Sequence, residues 1–531
     1  MWFSTECSYK GRGKAEFSDI KGVIEGDVDV VFREDGSVTV RMKTEELKTD
    51  VNLDFGMFQF LTGRPTQNYS DGTAGFGFGG GQNTCINISV STPEGIFSSS
   101  KGIVYSYSTR VFGDTETTID FDLAYSQFDV NEKSEVKYWV LPLCNFISKF
   151  RSQHNEIDLH PLRLRLPVED ADTSPLINST VIGFLFNTHL SYIEPLSDYE
   201  ERKRKLESGQ ERILITSVMV GKAEGLSLEL DKINDWLPPS FIRLLSLSTG
   251  IRVGVPWIEF RDASGKLVRR CHVQKDISSF SLGHRPIEES VHSGLGYLLT
   301  KYDSSVVRGS SYHAVLFKHI VQGSTKGGSI EDALTYIVRA FEGLLNHHNI
   351  KSQYLMRSLN SSDESSVKSA LRIAKAEIKQ LAQSAQIAGL FNEHRILDKI
   401  AERTSQIANK DNDFGLAVSE LLDKYNLPDI NIVDAHIAAN SRADRIPSFA
   451  SLLSKYRGII IHEGYFTFSS GMHDFADVIQ IKDHLIDILL RISFQIVGYD
   501  GTYQPPIIRL SASENMDWVD SETIASTLGY K

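Results

Sequence analysis

Val28, Val30 and Phe32 alternate with acidic positions, Glu34-Asp35-Gly36 supplies a turn, and Val38, Val40 and Met42 alternate back through Thr39 and Arg41. A period of two on either side of a glycine-bearing turn predicts a β-hairpin with one buried face. Trp257 to Phe260, the turn Asp262-Ala263-Ser264-Gly265 and the return Leu267 to Val273 repeat the design. Apolar runs at 181–186 and 213–220, broken by Gly, Pro and Asn, add further short strands. Residues 1–285 are therefore expected to be β-rich, a sandwich or barrel-like region, with two subdomains divided near 145–158.

Past residue 286 the period changes to that of helices, and 286–328 reads as connecting helices. Ser329 with Asp332 three residues later makes a capping box, after which Ile330, Leu334, Ile337, Val338, Phe341, Leu344 and Leu345 form one stripe. A second long helix carries Val367, Leu371, Ala374, Ile378, Leu381, Ala385 and Ala388 on one face, and a shorter one spans Phe414 to Tyr425. Pro447 suits a first helical turn, and the helix after it presents Phe449, Leu453, Tyr456 and Ile460. Asp474 opens a strongly apolar helix that stops at Gly498. These segments predict an antiparallel bundle over 329–498, followed by a peripheral tail at 499–531. The fold class is α+β, with several domains.

Composition narrows the setting. The chain has 531 residues, 41% of them hydrophobic and 23% charged, as in globular proteins. No apolar run is long enough to span a bilayer, the first residues lack the apolar core of a signal peptide, and a cytoplasmic location is expected with no membrane partner. Cys7, Cys85, Cys144 and Cys271 are too scattered for paired zinc ligands and read as reduced thiols. A net charge of −12 argues against a general nucleic-acid coat. Most of that excess lies before residue 300, so an RNA site would be a local basic pocket in the second half.

One segment names a chemistry. In Tyr456-Arg457-Gly458-Ile459-Ile460-Ile461-His462-Glu463-Gly464, an arginine and a histidine flank four residues at a helix end. Arginine holds its charge at any physiological pH and grips phosphate oxygens through a planar fork, whereas histidine exchanges protons near neutrality. The pair suits metal-free cleavage of a phosphodiester. The spacing resembles the motif of the HEPN ribonucleases, and the order of helices around it resembles the ApeA-type HEPN proteins of bacterial phage defence. That resemblance covers about 300–498. It implies attack of an RNA 2′-hydroxyl on the adjacent phosphorus, with Arg457 and His462 catalytic, no cofactor and no metal. It also implies an RNA substrate, transfer RNA among the candidates, a homodimer, and a phage-derived trigger. Residues five positions apart diverge by about 140° on a regular helix, so either the helix distorts, which Gly458 permits, or a second chain completes the site; the resemblance implies the second, with two motifs lining one cleft. Arg457 falls near the apolar face and needs an anionic partner, for which Glu342 is the candidate; an internal salt bridge is the alternative role. Tyr456, Gly458 and Glu463 are the other supporting positions. Gly458 departs from the family, which often places a polar residue there.

Other signals point elsewhere. Gly75 to Gly80 satisfies a dinucleotide-loop spacing without the strand and helix it requires. His347-His348 suits a helix C-terminus, and Arg202 to Lys205 reads as a solvated basic run or an RNA-contacting arm. Two rival functions remain: a catalytically silent HEPN module, and a ligand-binding β-sandwich with a helical oligomerisation domain.

Overall fold

The computed structural model describes residues 6–17, 23–44, 85–112, 116–123, 126–148, 181–287, 294–324, 328–350, 353–354, 361–409, 412–430, 448–462, 475–506 and 514–515. An N-terminal antiparallel β region is followed by a helical C-terminal region. The strands are β1 Cys7–Phe17, β2 Val23–Phe32, β3 Val38–Thr44, β4 Cys85–Ser91, β5 Gly95–Phe112, β6 Glu116–Leu123 and β7 Ser126–Val130. They continue as β8 Tyr138–Cys144, β9 Ile182–Phe186, β10 His189–Pro195, β11 Ile215–Lys222, β12 Val255–Arg261 and β13 Leu267–Lys275.

The first six strands close on themselves in the order β1-β2-β3-β6-β5-β4, with β4 pairing β1 again. Closure removes the exposed edge that an open six-stranded sheet would leave. The alternating positions of the first hairpin fill the interior, where Val28, Val30, Phe32, Val38, Val40 and Met42 are buried with Ile88, Val90 and Phe97. Strand β5 then pairs β7, which starts a second antiparallel sheet of order β7-β13-β12-β8-β11-β10-β9. The change from barrel to sheet thus falls between β6 and β7, ahead of the division expected near 145–158, because β8 pairs with strands from later in the chain.

The central strands of the second sheet, β8, β11 and β12, are buried on both faces. Trp139, Leu141, Leu143, Phe184, Met219, Ile258 and Phe260 meet helices on one side, while Val140, Val218, Val220 and Trp257 line the other. The β2–β3 turn docks against this sheet: Gly36, at φ +79°, lies where a Cβ would strike Ile277, and its carbonyl bonds His272. Cys7, Cys144 and Cys271 are free thiols.

The described helices longer than two turns are α1 Tyr199–Glu207, α2 Pro239–Thr249, α3 Leu295–Asp303, α4 Ser311–Ser324, α5 Ile330–His347, α6 Ser361–Ile387, α7 Phe391–Asn409, α8 Phe414–Lys424, α9 Phe449–His462 and α10 Phe475–Val497. The capping box forms, with Ser329 accepting from the Asp332 amide at 3.0 Å, and the α5 stripe is buried from Leu334 to Leu345. One continuous core runs from the second sheet through α2 to α5 and into α8, α9 and α10.

Two expectations are corrected. The second long helix was expected to bury its stripe in the bundle, yet among the described residues α6 and α7 contribute nothing to that core. They pack on each other, and Leu381 is 58% exposed. The apolar repeat of α6 serves a two-helix hairpin, which needs a narrower seam than a bundle helix. The segment after Gly498 is not wholly peripheral either. Tyr499 and Tyr503 are buried in the core, where the Tyr503 hydroxyl donates to Asp487, itself paired with Arg491 at 2.9 Å. A buried carboxylate needs such donors.

Candidate functional site

Helix α9 begins at a polar anchor. Asp429 accepts from the Ala450 amide at 2.8 Å and from the Ser448 hydroxyl, which itself accepts from the Ser451 amide at 3.2 Å. Pro447 lies outside the described residues. Phe449, Leu453 and Tyr456 are fully buried, which fixes the helix rotation. One residue past Tyr456 the helix leaves the core: Arg457 to Ile460 are half-buried and Ile461 is 51% exposed.

Arg457 thus stands at the rim of the core with two constraints. Its Nε donates to Glu342 Oε1 at 2.8 Å, and the two side chains are 35% and 36% exposed. Its guanidinium lies over the Phe414 ring, 4.7 Å from the centroid. Cation–π contact and ion pair together hold the planar group in one orientation. Its terminal nitrogens have no partner among the described residues, so the outer edge of the fork is free to take two oxygens of an anion.

The structure therefore brings Arg457 and Glu342 together, while the preceding Tyr456 is buried in the core. Gly458 follows with nothing among the described residues within 4 Å of where a Cβ would be, so neither crowding by them nor a left-handed backbone requires glycine. His462 is the last residue of α9, about 140° around the helix from Arg457, and its side chain lies outside the described residues, as does Glu463. Phe414 was not singled out by sequence reasoning as a site residue. It lies 43 positions from Arg457, and no local pattern signals a contact made by tertiary packing.

The remaining candidates fall into place by packing. His347 stacks on Tyr312 at 4.0 Å, and His348 shares a 2.6 Å hydrogen bond with the Tyr425 hydroxyl. His313 completes the group, 5.3 Å from His347. Burial, reinforced by the neighbouring histidines, pushes the His313 imidazole down to about 4. Burial and nearby Lys424 do the same for His348, also to about 4. Among the described residues no group of three or more His, Cys, Asp or Glu is placed to hold a metal ion. Arg202 is committed to Glu34, at 2.8 Å, and to Asp198, and Lys205 pairs with Glu201. Gly75 to Gly80 lie outside the described residues. No described helix is long and apolar enough to cross a membrane.

No family model matches the chain, and no curated protein or solved structure matches it either.

Proposed function

We propose that the protein is a HEPN-type endoribonuclease of ApeA-like bacterial phage defence, acting as a homodimer in the cytoplasm. The observation that carries this reading is Arg457, braced by Glu342 and Phe414 with its outer nitrogens unpartnered among the described residues, on the helix that ends at His462. A surface arginine that served structure alone would gain little from two braces. A phosphate-binding arginine gains a preset orientation, which spares ordering when substrate arrives.

In the proposed reaction the 2′-oxygen bonds to phosphorus as the bond to the 5′-oxygen breaks. The products are a 2′,3′-cyclic phosphate and a 5′-hydroxyl. Arg457 offsets charge building on the phosphoryl oxygens, and His462 takes the 2′ proton or delivers one to the leaving oxygen. Because the two side chains diverge on one helix, the cleft is completed by α9 of a second chain across a twofold axis. The β region is assigned the role of sensing a phage-derived trigger or restraining the helical half, and transfer RNA is one candidate substrate.

The test is RNA cleavage by the purified chain with end-group analysis, in excess EDTA. Cyclic-phosphate ends in EDTA support the reading, and strict dependence on magnesium or manganese overturns it. A second reading, a silent HEPN module, draws on the Glu342 ion pair and on the lack of a polar side chain at Gly458. Absence of cleavage by an assembled, folded dimer over a panel of RNAs, transfer RNA included, would favour it.

A further inference from the structure

Helices α6 and α7 form an antiparallel hairpin turned through Gly389, at φ +74°. Its internal seam is set on α7 by His394, Leu397, Ala401 and Thr404, with Ala401 fully buried and the His394 ring bonded to the Ala382 carbonyl at 3.0 Å. One position earlier in each case, about 100° around the helix, stand Glu393, Ile396, Ile400 and Arg403. All four are exposed, Ile396 by 59% and Ile400 by 44%. On α6, Ile373 and Leu381, 59% and 58% exposed, project on the same side of the hairpin by the same helical geometry. Four branched apolar side chains on one face of two solvated helices leave a substantial apolar stripe in water, which marks an interaction surface.

The order along α7 says what covers it. Acid, apolar, apolar, base at 393, 396, 400 and 403 is symmetric about position 398 with the charges reversed. A second α7 laid antiparallel about that point sets Ile396 against the partner's Ile400 and Glu393 against the partner's Arg403, and each contact occurs twice. The three-four-three spacing is that of a helix seam, and a surface complementary to itself is what a twofold contact requires. We propose that this face of the α6–α7 hairpin is a homotypic docking surface, in which two copies of the chain pair through α7 in antiparallel register to form a four-helix contact.

This contact is separate from the α9 pairing, and its readout is molecular mass rather than cleavage, so it can fail or succeed independently of the ribonuclease reading. An assembly using both contacts would fall back to the α9 pair when the hairpin face is spoiled. One using the hairpin alone would fall back to a monomer. In either case mass halves.

The experiment is light scattering and sedimentation of the full chain as wild type, I396E/I400E, E393K, R403E and E393K/R403E. The apolar double variant is expected to halve the mass with an unchanged thermal melt, since both positions are exposed. Each single charge reversal sets like charges opposite each other twice and is expected to raise the dissociation constant by about tenfold, a difference of 1.4 kcal/mol. The double reversal restores the complementary order and should return the wild-type mass. An unchanged mass in I396E/I400E, or no recovery in E393K/R403E, overturns the proposal. A wild type that stays monomeric at all concentrations also overturns it, leaving the stripe to a different protein.

Discussion

Arg457 is where structural and chemical roles can be separated by substitution. Its ion pair with Glu342 is one-third exposed, and pairs at such exposure contribute ~1 kcal/mol or less. Arg457→Ala is therefore expected to shift a denaturant melt by no more than about 1 kcal/mol while abolishing cleavage. Arg457→Lys keeps the charge but loses the fork, and should leave cleavage far below wild type. A loss of several kcal/mol in the alanine variant would point to the internal salt bridge as the main role. Gly458 gives the complementary test. Among the described residues nothing within 4 Å opposes a Cβ there, so Gly458→Ala should stabilise α9 by roughly 1 kcal/mol. Unchanged cleavage would fit a site completed by a second chain. Lost cleavage in that more stable variant would mean that α9 bends at Gly458 to bring Arg457 and His462 together within one chain.

At the scale of elements, what could be read from the sequence depended on how local the determining physics is. The β2–β3 hairpin, the capped α5 and the apolar α10 rest on periodicity and turn chemistry within about 20 residues, and each occurs where its pattern lies. The Arg457–Glu342 contact was also reachable, since a charge on an apolar face requires a partner. Phe414 was not, and neither was the departure of α6 from the bundle. A heptad stripe has the same form whether it faces one helix or four. The histidine cluster at the end of α5 shows a consequence that local reading also missed. His313 and His348 titrate at about 4 in the folded chain, below the ordinary histidine value. The unfolded chain therefore binds more protons between about 6.5 and 4, and stability rises with pH across that window. Denaturant melts should be nearly flat on this account above pH 7 and should lose stability progressively as pH falls from 6.5 towards 4. Replacing His313 and His348 by Gln should flatten that slope, as measured by the pH dependence of the melting midpoint.

At the scale of the whole molecule, the barrel and the second sheet are joined by a buried ionic cluster that alternation along β12 did not reveal. Glu259 would face solvent if one side of that sheet were open, but it is fully buried and accepts from Arg270 Nη2 at 2.6 Å, from Arg261 Nε at 2.8 Å and from the Trp257 indole at 3.2 Å. Burial raises the Glu259 carboxyl, and the two guanidiniums more than offset this, holding it below the usual range. Arg270 carries the cluster into the barrel: it contacts Cys7 and Tyr9 of β1 and lies 5.4 Å from the Phe32 ring centroid of β2. Removing this carboxylate takes away the anion that the two buried guanidiniums share, so Glu259→Ala is expected to cost about 3–5 kcal/mol. The loss should concentrate at the joint, since the barrel interior and the helical core are packed from separate sets of side chains. Hydrogen exchange in Glu259→Ala should therefore rise first in β1, β2, β12 and β13, while α5 and α10 stay protected. A change below 1 kcal/mol with uniform exchange would mean that water reaches the guanidiniums, and that the barrel is held to the sheet by the docked β2–β3 turn and the β5–β7 ladder.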